Sequence, residues 1–132
     1  MFDHVNWVAV LGASIVAFAF NAIWHGPLFG RRWGEYVGVE APAGPPLPPI
    51  LVANFVLTLV GATALAAIVT AFSADAAVAA FVGILVWTAS GLVVKLNEVL
   101  FARQPVGLFY IDGIGHLITL VIVAVIVGVF RT

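Results

Sequence analysis

The sequence predicts an all-α integral membrane protein in which four transmembrane helices form a bundle. Hydrophobic residues make up 64% of the 132 residues and charged residues only 8%, and the mean hydropathy is +1.21. One small water-soluble domain cannot bury that much apolar surface. Each of four apolar runs is long enough to cross about 30 Å of hydrocarbon. We place these helices at about 5–25, 50–72, 76–97 and 106–130, within a single membrane domain of residues 1–132.

The first helix follows a leader that contains Asp3 and no basic residue, and its apolar run continues to Trp24. A cleaved signal peptide has a basic leader and a shorter run, so we expect a spanning helix instead. Gly26 permits unusual backbone angles and Pro27 lacks a backbone N–H, so the helix should end or kink there. Trp24 and Trp33 suit the headgroup layer, either as depth anchors or within an interfacial segment that covers the mouth of the bundle.

The connections between the helices differ in character. Residues 41–49 are rich in proline, which predicts a stiff extended spacer or, alternatively, a peptide that docks into an aromatic groove. The connection at 73–75 is short enough for a tight hairpin, with Ser73 or Asp75 capping the third helix. We therefore expect the second and third helices to be neighbours. Pro105 marks the start of the fourth helix.

The few charged residues predict an orientation. Four of the five cations fall in the first and third connections or close to them, namely Arg31, Arg32, Lys95 and Arg103. Because cations concentrate on the cytoplasmic side, both termini should lie outside the cytoplasm. The net charge of -1 offers no basic surface to nucleic acid, and the absence of cysteine excludes disulfides and thiolate chemistry.

Polar residues from all four helices fall at one depth, in the predicted cytoplasmic half. Such side chains are expensive in a bilayer unless they face a partner, a wet cavity or a ligand. We therefore predict a polar chamber that opens toward the cytoplasm, although chance clustering near one end of the helices is an alternative. The candidate ligand or proton residues are Asn21, His25, Asn54, Asn97, Glu98, Asp112 and His116.

Asp112 and His116 are the most informative members of this set, because they are spaced i,i+4 and project from one face of a helix. Three interpretations remain open. The first is a polar knot that locks the fourth helix in place, and the second is a proton or ligand site. The third is a site for Zn, Mn or Fe that also includes Glu98 and His25, although no Glu-x-x-His pair supports a metal site.

Small residues and one tryptophan indicate how the helices meet. Trp87 lies near the bilayer centre between Gly83 and Gly91, where its indole N–H needs an acceptor and its ring suits a protein interface. Because four short helices enclose little volume, we expect a homo-oligomer or a subunit of a larger membrane complex. Four pairs have the small-x-x-x-small spacing that permits close packing, and they are Ala13 and Ala17, Ala62 and Ala66, Ala79 and Gly83, and Ala124 and Gly128.

Several local motifs together resemble domain-of-unknown-function family 1761, a group of small bacterial four-helix membrane proteins. They are Asn6-Trp7, the turn Trp24-His25-Gly26-Pro27-Leu28-Phe29-Gly30 followed by Trp33, and Asp112-Gly-Ile-Gly-His116-Leu. The resemblance covers nearly the whole chain and implies a multi-pass protein of the bacterial cytoplasmic membrane, but no reaction. The family has Tyr more often at position 25 and Asn more often at position 112, so it gives His25 and Asp112 no family-wide role.

The sequence assigns no catalytic residue and leaves any cofactor unknown, because it contains no nucleophile elbow, P-loop, dinucleotide fingerprint or His-Glu-x-x-His site. An enzyme is therefore not the leading hypothesis. The first hypothesis is an oligomeric membrane protein whose polar chamber binds or conducts a small ligand or a proton. The second is a structural or assembly subunit of a larger membrane complex, in contact with membrane lipid. The third is a membrane-embedded metalloenzyme.

Overall fold

The structure of the protein is a computed structural model that describes residues 4–38, 48–72 and 74–130. Every regular element in these ranges is helical, which confirms the predicted all-α class. The elements are α1 (Trp7–Ile23), a first π-helical segment (Trp24–Leu28), α2 (Gly30–Val37), α3 (Pro48–Ala71), α4 (Ala76–Trp87), a second π-helical segment (Thr88–Leu92), α5 (Val93–Phe101) and α6 (Val106–Val129).

Four continuous helical stretches are long and apolar enough to cross a membrane, as predicted. They are Trp7–Leu28, Pro48–Ala71, Ala76–Phe101 and Val106–Val129, which we call the first to fourth spans. The third span continues four residues beyond the predicted end at 97. Lys95 and Glu98 do not end the helix because they pair along its side, with Nζ and Oε2 3.3 Å apart.

Side chains and prolines set the helix starts. The Asn6 carboxamide oxygen accepts the N–H groups of Val8 and Ala9 at 3.1 and 3.2 Å and thereby caps α1. Asp75 caps α4 by accepting the Val78 N–H at 2.9 Å, while Ser73, the other predicted cap, lies outside the described residues. Pro105 precedes α6 in an extended conformation. Most of the proline-rich connection also lies outside the described residues.

The fourth span is the centre of the bundle. Helix α6 packs against α4 most closely and also against α1 and α3. The second and third spans, expected to be neighbours, touch at only a few residues, because a short hairpin brings together their ends and not their lengths. One side of α6 is therefore less covered than the others.

The bundle can be divided into two halves according to which helix termini lie at each end. At one end, which we call the hairpin half, lie Trp7, Ala71, Ala76 and Val129. At the other end, which we call the α2 half, lie Leu28, Pro48, Phe101 and Val106. The Asn6 amide donates to the Phe130 carbonyl and so ties the beginning of α1 to the end of α6 in the hairpin half.

The apolar core lies in the hairpin half, where small residues allow close helix packing. All eight residues with the predicted small-x-x-x-small spacing are buried. A Cβ added at Gly128 would lie 2.6 Å from the Ala79 Cβ, and one at Gly83 would lie 3.1 Å from the Leu120 carbonyl oxygen. The backbones of α4 and α6 can therefore approach only because these positions carry almost no side chain.

The outer surface of the bundle is apolar. Large side chains such as Leu57, Val60 and Phe81 are 58% to 68% exposed. Water would disfavour so much exposed hydrocarbon, whereas lipid tails accommodate it. This surface supports the assignment of a membrane protein.

Candidate functional site

The predicted site residues fall into three groups within the α2 half. His25 and Asp112 form a pair across two helices. Asn21, Asn54 and His116 line a cleft. Asn97 and Glu98 lie apart from both groups, near the end of α5.

The end of the first span is reshaped around Pro27. The Phe29 N–H donates to the Trp24 carbonyl at 3.0 Å, a bond across five residues that widens the helix into the first π-helical segment. A Cβ at Gly30 would lie 2.5 Å from the His25 carbonyl oxygen, so the tight approach requires glycine at position 30. The predicted kink is present, but neither Gly26 nor Gly30 has a positive φ, and a Cβ at Gly26 would meet nothing within 4 Å.

A short helix that the sequence did not predict follows this segment. Helix α2 carries Arg31 and Glu35 on its exposed side, with Nε and Oε1 3.6 Å apart, while Gly34 is buried. It ends at Gly38, whose φ of 78° is the left-handed conformation that commonly terminates helices.

Asp112 pairs with His25 and not with His116. The His25 Nε2 atom lies 3.1 Å from Asp112 Oδ1, and the His25 ring is nearly perpendicular to the Trp33 ring at a centroid distance of 6.2 Å. In the described residues no ion pair joins Asp112 to His116. The expected i,i+4 pair does not form because the His116 ring turns toward Gly91, where an added Cβ would lie 2.8 Å from its Cδ2 atom.

Two tryptophans donate to the backbone of α6 on either side of Asp112. Trp24 Nε1 donates to the Ile111 carbonyl at 2.7 Å, and Trp87 Nε1 donates to the Gly113 carbonyl at 2.8 Å. Residues two apart in an α-helix are about 200° apart around its axis, so the indoles approach from nearly opposite sides. Together they hold the turn that carries Asp112.

Glycines make room for both indoles. A Cβ at Gly115 would lie 2.6 Å from Trp24 Nε1, and one at Gly91 would lie 2.6 Å from Trp87 Cδ1. Trp87 is only 9% exposed, so its indole packs inside this chain and not on the surface of the bundle. Trp24, which was expected to anchor the helix in the headgroup layer, is half-buried against the fourth span. Its ring also contacts the Phe29 ring in a tilted arrangement, with centroids 4.6 Å apart.

The third feature is a cleft between α1, α3 and α6, with a volume of about 210 Å³. The Asn54 carboxamide and the His116 imidazole have no hydrogen-bond partner among the described residues, and both side chains are exposed in the isolated chain. Asn21 Oδ1 lies 3.4 Å from the Thr119 hydroxyl. The polar lining consists of Asn21, Asn54, Thr58, His116 and Thr119, and the apolar lining includes Leu57, Leu65, Leu120 and Val123.

Two predicted residues do not join either arrangement. Glu98 pairs with Lys95, so it is not the second carboxylate expected beside Asp112 and His116. Asn97 is exposed on α5. Within ranges 4–38, 48–72 and 74–130, no three His, Asp or Glu side chains come close enough together to hold a metal ion.

Sequence reasoning missed several contributors to the site. Thr58 donates its hydroxyl to the Asn54 carbonyl at 2.9 Å and so resembles an ordinary helical threonine until the cleft is seen. Gly91 follows Trp87 by four residues, a spacing that signals room for the indole on the same helix face. No such local signal links Gly115 to Trp24, because these residues belong to different helices.

Comparison with known proteins places the chain in a family. No curated protein and no solved structure matches it. A family model described as "Protein of unknown function (DUF1761)" matches residues 8–128, which is most of the chain and includes the Trp24–Trp33 turn and the Asp112–His116 run. The resemblance expected from those motifs is confirmed, and the chain belongs to the DUF1761 family.

Proposed function

We propose that this membrane protein binds a small, uncharged, hydrogen-bonding ligand in the cleft between α1, α3 and α6. The observation that carries the proposal is that Asn54 and His116 line one cleft and that neither side chain has a hydrogen-bond partner in the described part of the chain. A polar group at membrane depth without a partner costs about 1–3 kcal/mol, so a bound molecule that supplies the missing hydrogen bonds gains affinity.

The lining indicates the chemical class of the ligand. Amides, hydroxyls and one imidazole line the cleft, and no Asp, Glu, Lys or Arg of the described ranges does. Such groups donate and accept hydrogen bonds without favouring either sign of charge. The volume of about 210 Å³ lies below the roughly 300–1,000 Å³ of typical ligand pockets. We infer a ligand of only a few polar atoms with a compact apolar part.

His116 is the residue through which the cleft would exchange a proton. A neutral imidazole presents one donor and one acceptor and can switch between tautomers. Asp112, which pairs with His25 of the first π-helical segment, lies four residues before His116 on α6 and supplies a second titratable group.

The arrangement in the membrane is also a proposal. Arg31, Arg32, Lys95 and Arg103 belong to the α2 half, which supports a cytoplasmic location of that half in a bacterial inner membrane and an external location of both termini. The weak contact between the second and third spans leaves part of α6 uncovered, and a second copy of the chain would cover it. We therefore propose a homo-oligomer.

A second function is favoured by a specific observation. The indoles of Trp24 and Trp87 hold α6 through its backbone, as expected of polar groups that only staple helices. A structural or assembly subunit would need no ligand, and it would use the proline-rich connection or the apolar surface to contact partners. Purification with stoichiometric partner proteins would favour this alternative.

Native mass spectrometry from mild detergent tests the ligand proposal. We expect the wild-type protein to retain a small non-lipid molecule, and Asn54→Leu and His116→Leu to lose it. Asn97→Leu is the matched control, because Asn97 is an exposed amide outside the cleft. A wild-type spectrum without such a mass, or equal retention by all three variants, contradicts the proposal.

A further inference from the structure

A second cleft lies between α2 and the first turns of α6, separate from the proposed ligand cleft. Its volume is about 190 Å³. Three side chains come from the first connection and α2, and three residues come from α6. The lining residues are Phe29, Arg32, Tyr36, Gly107, Tyr110 and Ile111.

We propose that this cleft binds the phosphate of an anionic phospholipid headgroup. Arg32 supplies the positive charge, and its planar guanidinium matches the geometry of phosphate oxygens. Tyr36 and Tyr110 add two phenol hydroxyls that are able to donate hydrogen bonds. Among the residues that the structure describes, no carboxylate lines the cleft to repel a phosphate or attract the cation of a choline headgroup.

Arg32 and its neighbour Arg31 are both exposed but differ in what they contact. Arg31 points into solvent, with its side chain 92% exposed, and pairs with Glu35. Among the described residues no carboxylate pairs with Arg32. The adjacent arginines therefore share the general attraction of a basic segment for anionic lipid, while only Arg32 lines the cleft.

The position of the cleft identifies a lipid as the source of the phosphate. Gly107 and Tyr110 are in the first turns of the fourth span, and Phe29 follows the last residue of the first span. The cleft is therefore level with the ends of the membrane-spanning helices, where headgroups lie. Leu28 and Val106, which are 60% and 54% exposed, offer an apolar path for the acyl chains toward the hydrocarbon.

Glycine at position 107 keeps the cleft open. Any side chain placed there would collide with the Tyr36 hydroxyl, because the helix backbone lies directly against that group. A larger residue at position 107 would displace Tyr36 and fill the space beside Arg32 without removing any charge.

The test is a native mass spectrometry titration of the detergent-solubilised protein with phosphatidylglycerol and, in parallel, with phosphatidylcholine. We expect the wild type to bind its first phosphatidylglycerol more tightly, and Arg32→Gln to weaken that binding about fivefold or more. Arg31→Gln should change it less than about twofold, because an exposed charge outside the cleft contributes only general attraction. Gly107→Val, which keeps both arginines, should weaken binding as Arg32→Gln does. Circular dichroism checks that each variant keeps the wild-type helix content.

Three results would overturn the proposal. Equal losses in Arg31→Gln and Arg32→Gln would mean diffuse attraction without a site. Equal binding of the two lipids by the wild type would mean that the cleft does not select anionic headgroups. Displacement of phosphatidylglycerol by millimolar inorganic phosphate, together with no lipid preference, would assign the cleft to free phosphate. The Asn54 and His116 variants should leave the lipid titration unchanged, so this test is independent of the proposed ligand cleft.

Discussion

The hairpin half and the α2 half of the bundle are stabilised in different ways. In the hairpin half, buried alanines and glycines bring the helices together, and the bond from the Asn6 amide to the Phe130 carbonyl lies only at the helix ends. In the α2 half, tryptophan indoles donate to the backbone of α6, and two π-helical segments interrupt the first and third spans. Each π-helical segment begins at, or directly after, one of those tryptophans. Because π-helical insertions are frequent at functional sites, this difference supports the proposal that the α2 half binds a ligand while the hairpin half stabilises the fold.

The largest effect should come from overfilling the hairpin half. Gly128→Ala would place a methyl group 2.6 Å from the Ala79 Cβ, and forcing α4 and α6 apart should lower the free energy of unfolding by about 2 kcal/mol or more. Thermal melting in detergent measures the change. Gly12→Ala is the matched control, because its new methyl group meets nothing within 4 Å. Equal melting temperatures for the two variants would contradict close packing of this half.

A smaller loss should follow from removing an indole hydrogen bond in the α2 half. Trp87→Phe keeps an aromatic ring but removes the donor to the Gly113 carbonyl, which should lower the free energy of unfolding by about 1–2 kcal/mol. Trp7→Phe provides the comparison, since Trp7 is 53% exposed. If the two substitutions shift the melting temperature equally, the hydrogen bond does not stabilise α6.

The smallest effect should be the coupling between His25 and Asp112. A double-mutant cycle of His25→Ala and Asp112→Ala should give a coupling free energy of about 0.5 kcal/mol, because both side chains are partly exposed and polar pairs in membranes are weak. The parallel cycle of Asp112→Ala and His116→Ala should give a coupling near zero. A larger coupling free energy in the second cycle would show that Asp112 pairs with His116, as their i,i+4 spacing suggested, and would contradict the observed pair.

The fold was largely predictable from the sequence, because length and hydropathy determine spanning helices directly. The four spans, the Asp75 cap and the buried small residues follow from local patterns. The central position of α6 did not follow, since the short hairpin suggested that the second and third spans pack together. The sequence shows which helices follow one another along the chain. Which helices pack together in the bundle depends instead on the complementarity of their side-chain surfaces.

The sequence predicted which residues belong to the candidate site better than it predicted which of them contact each other. Depth alone placed Asn21, Asn54 and His116 at one end of the bundle, and a single cleft brings them together. Helical spacing suggested a pair between Asp112 and His116, whereas Asp112 reaches His25, 87 residues away. Spacing identifies only neighbours within one helix, and the π-helical segment that positions His25 changes the local register. Contacts of that kind depend on the packing of two helices.

The melting temperature of Asn54→Leu tests most directly whether the α2 half carries a binding site. In a binding site, the Asn54 carboxamide has no partner among the described residues, so leucine should leave the melting temperature of ligand-free protein unchanged or raise it. The same variant should lose the retained small molecule in native mass spectra. A melting temperature that falls as far as in Trp87→Phe, with no change in the bound mass, would show that Asn54 only holds helices together and would contradict the proposed function.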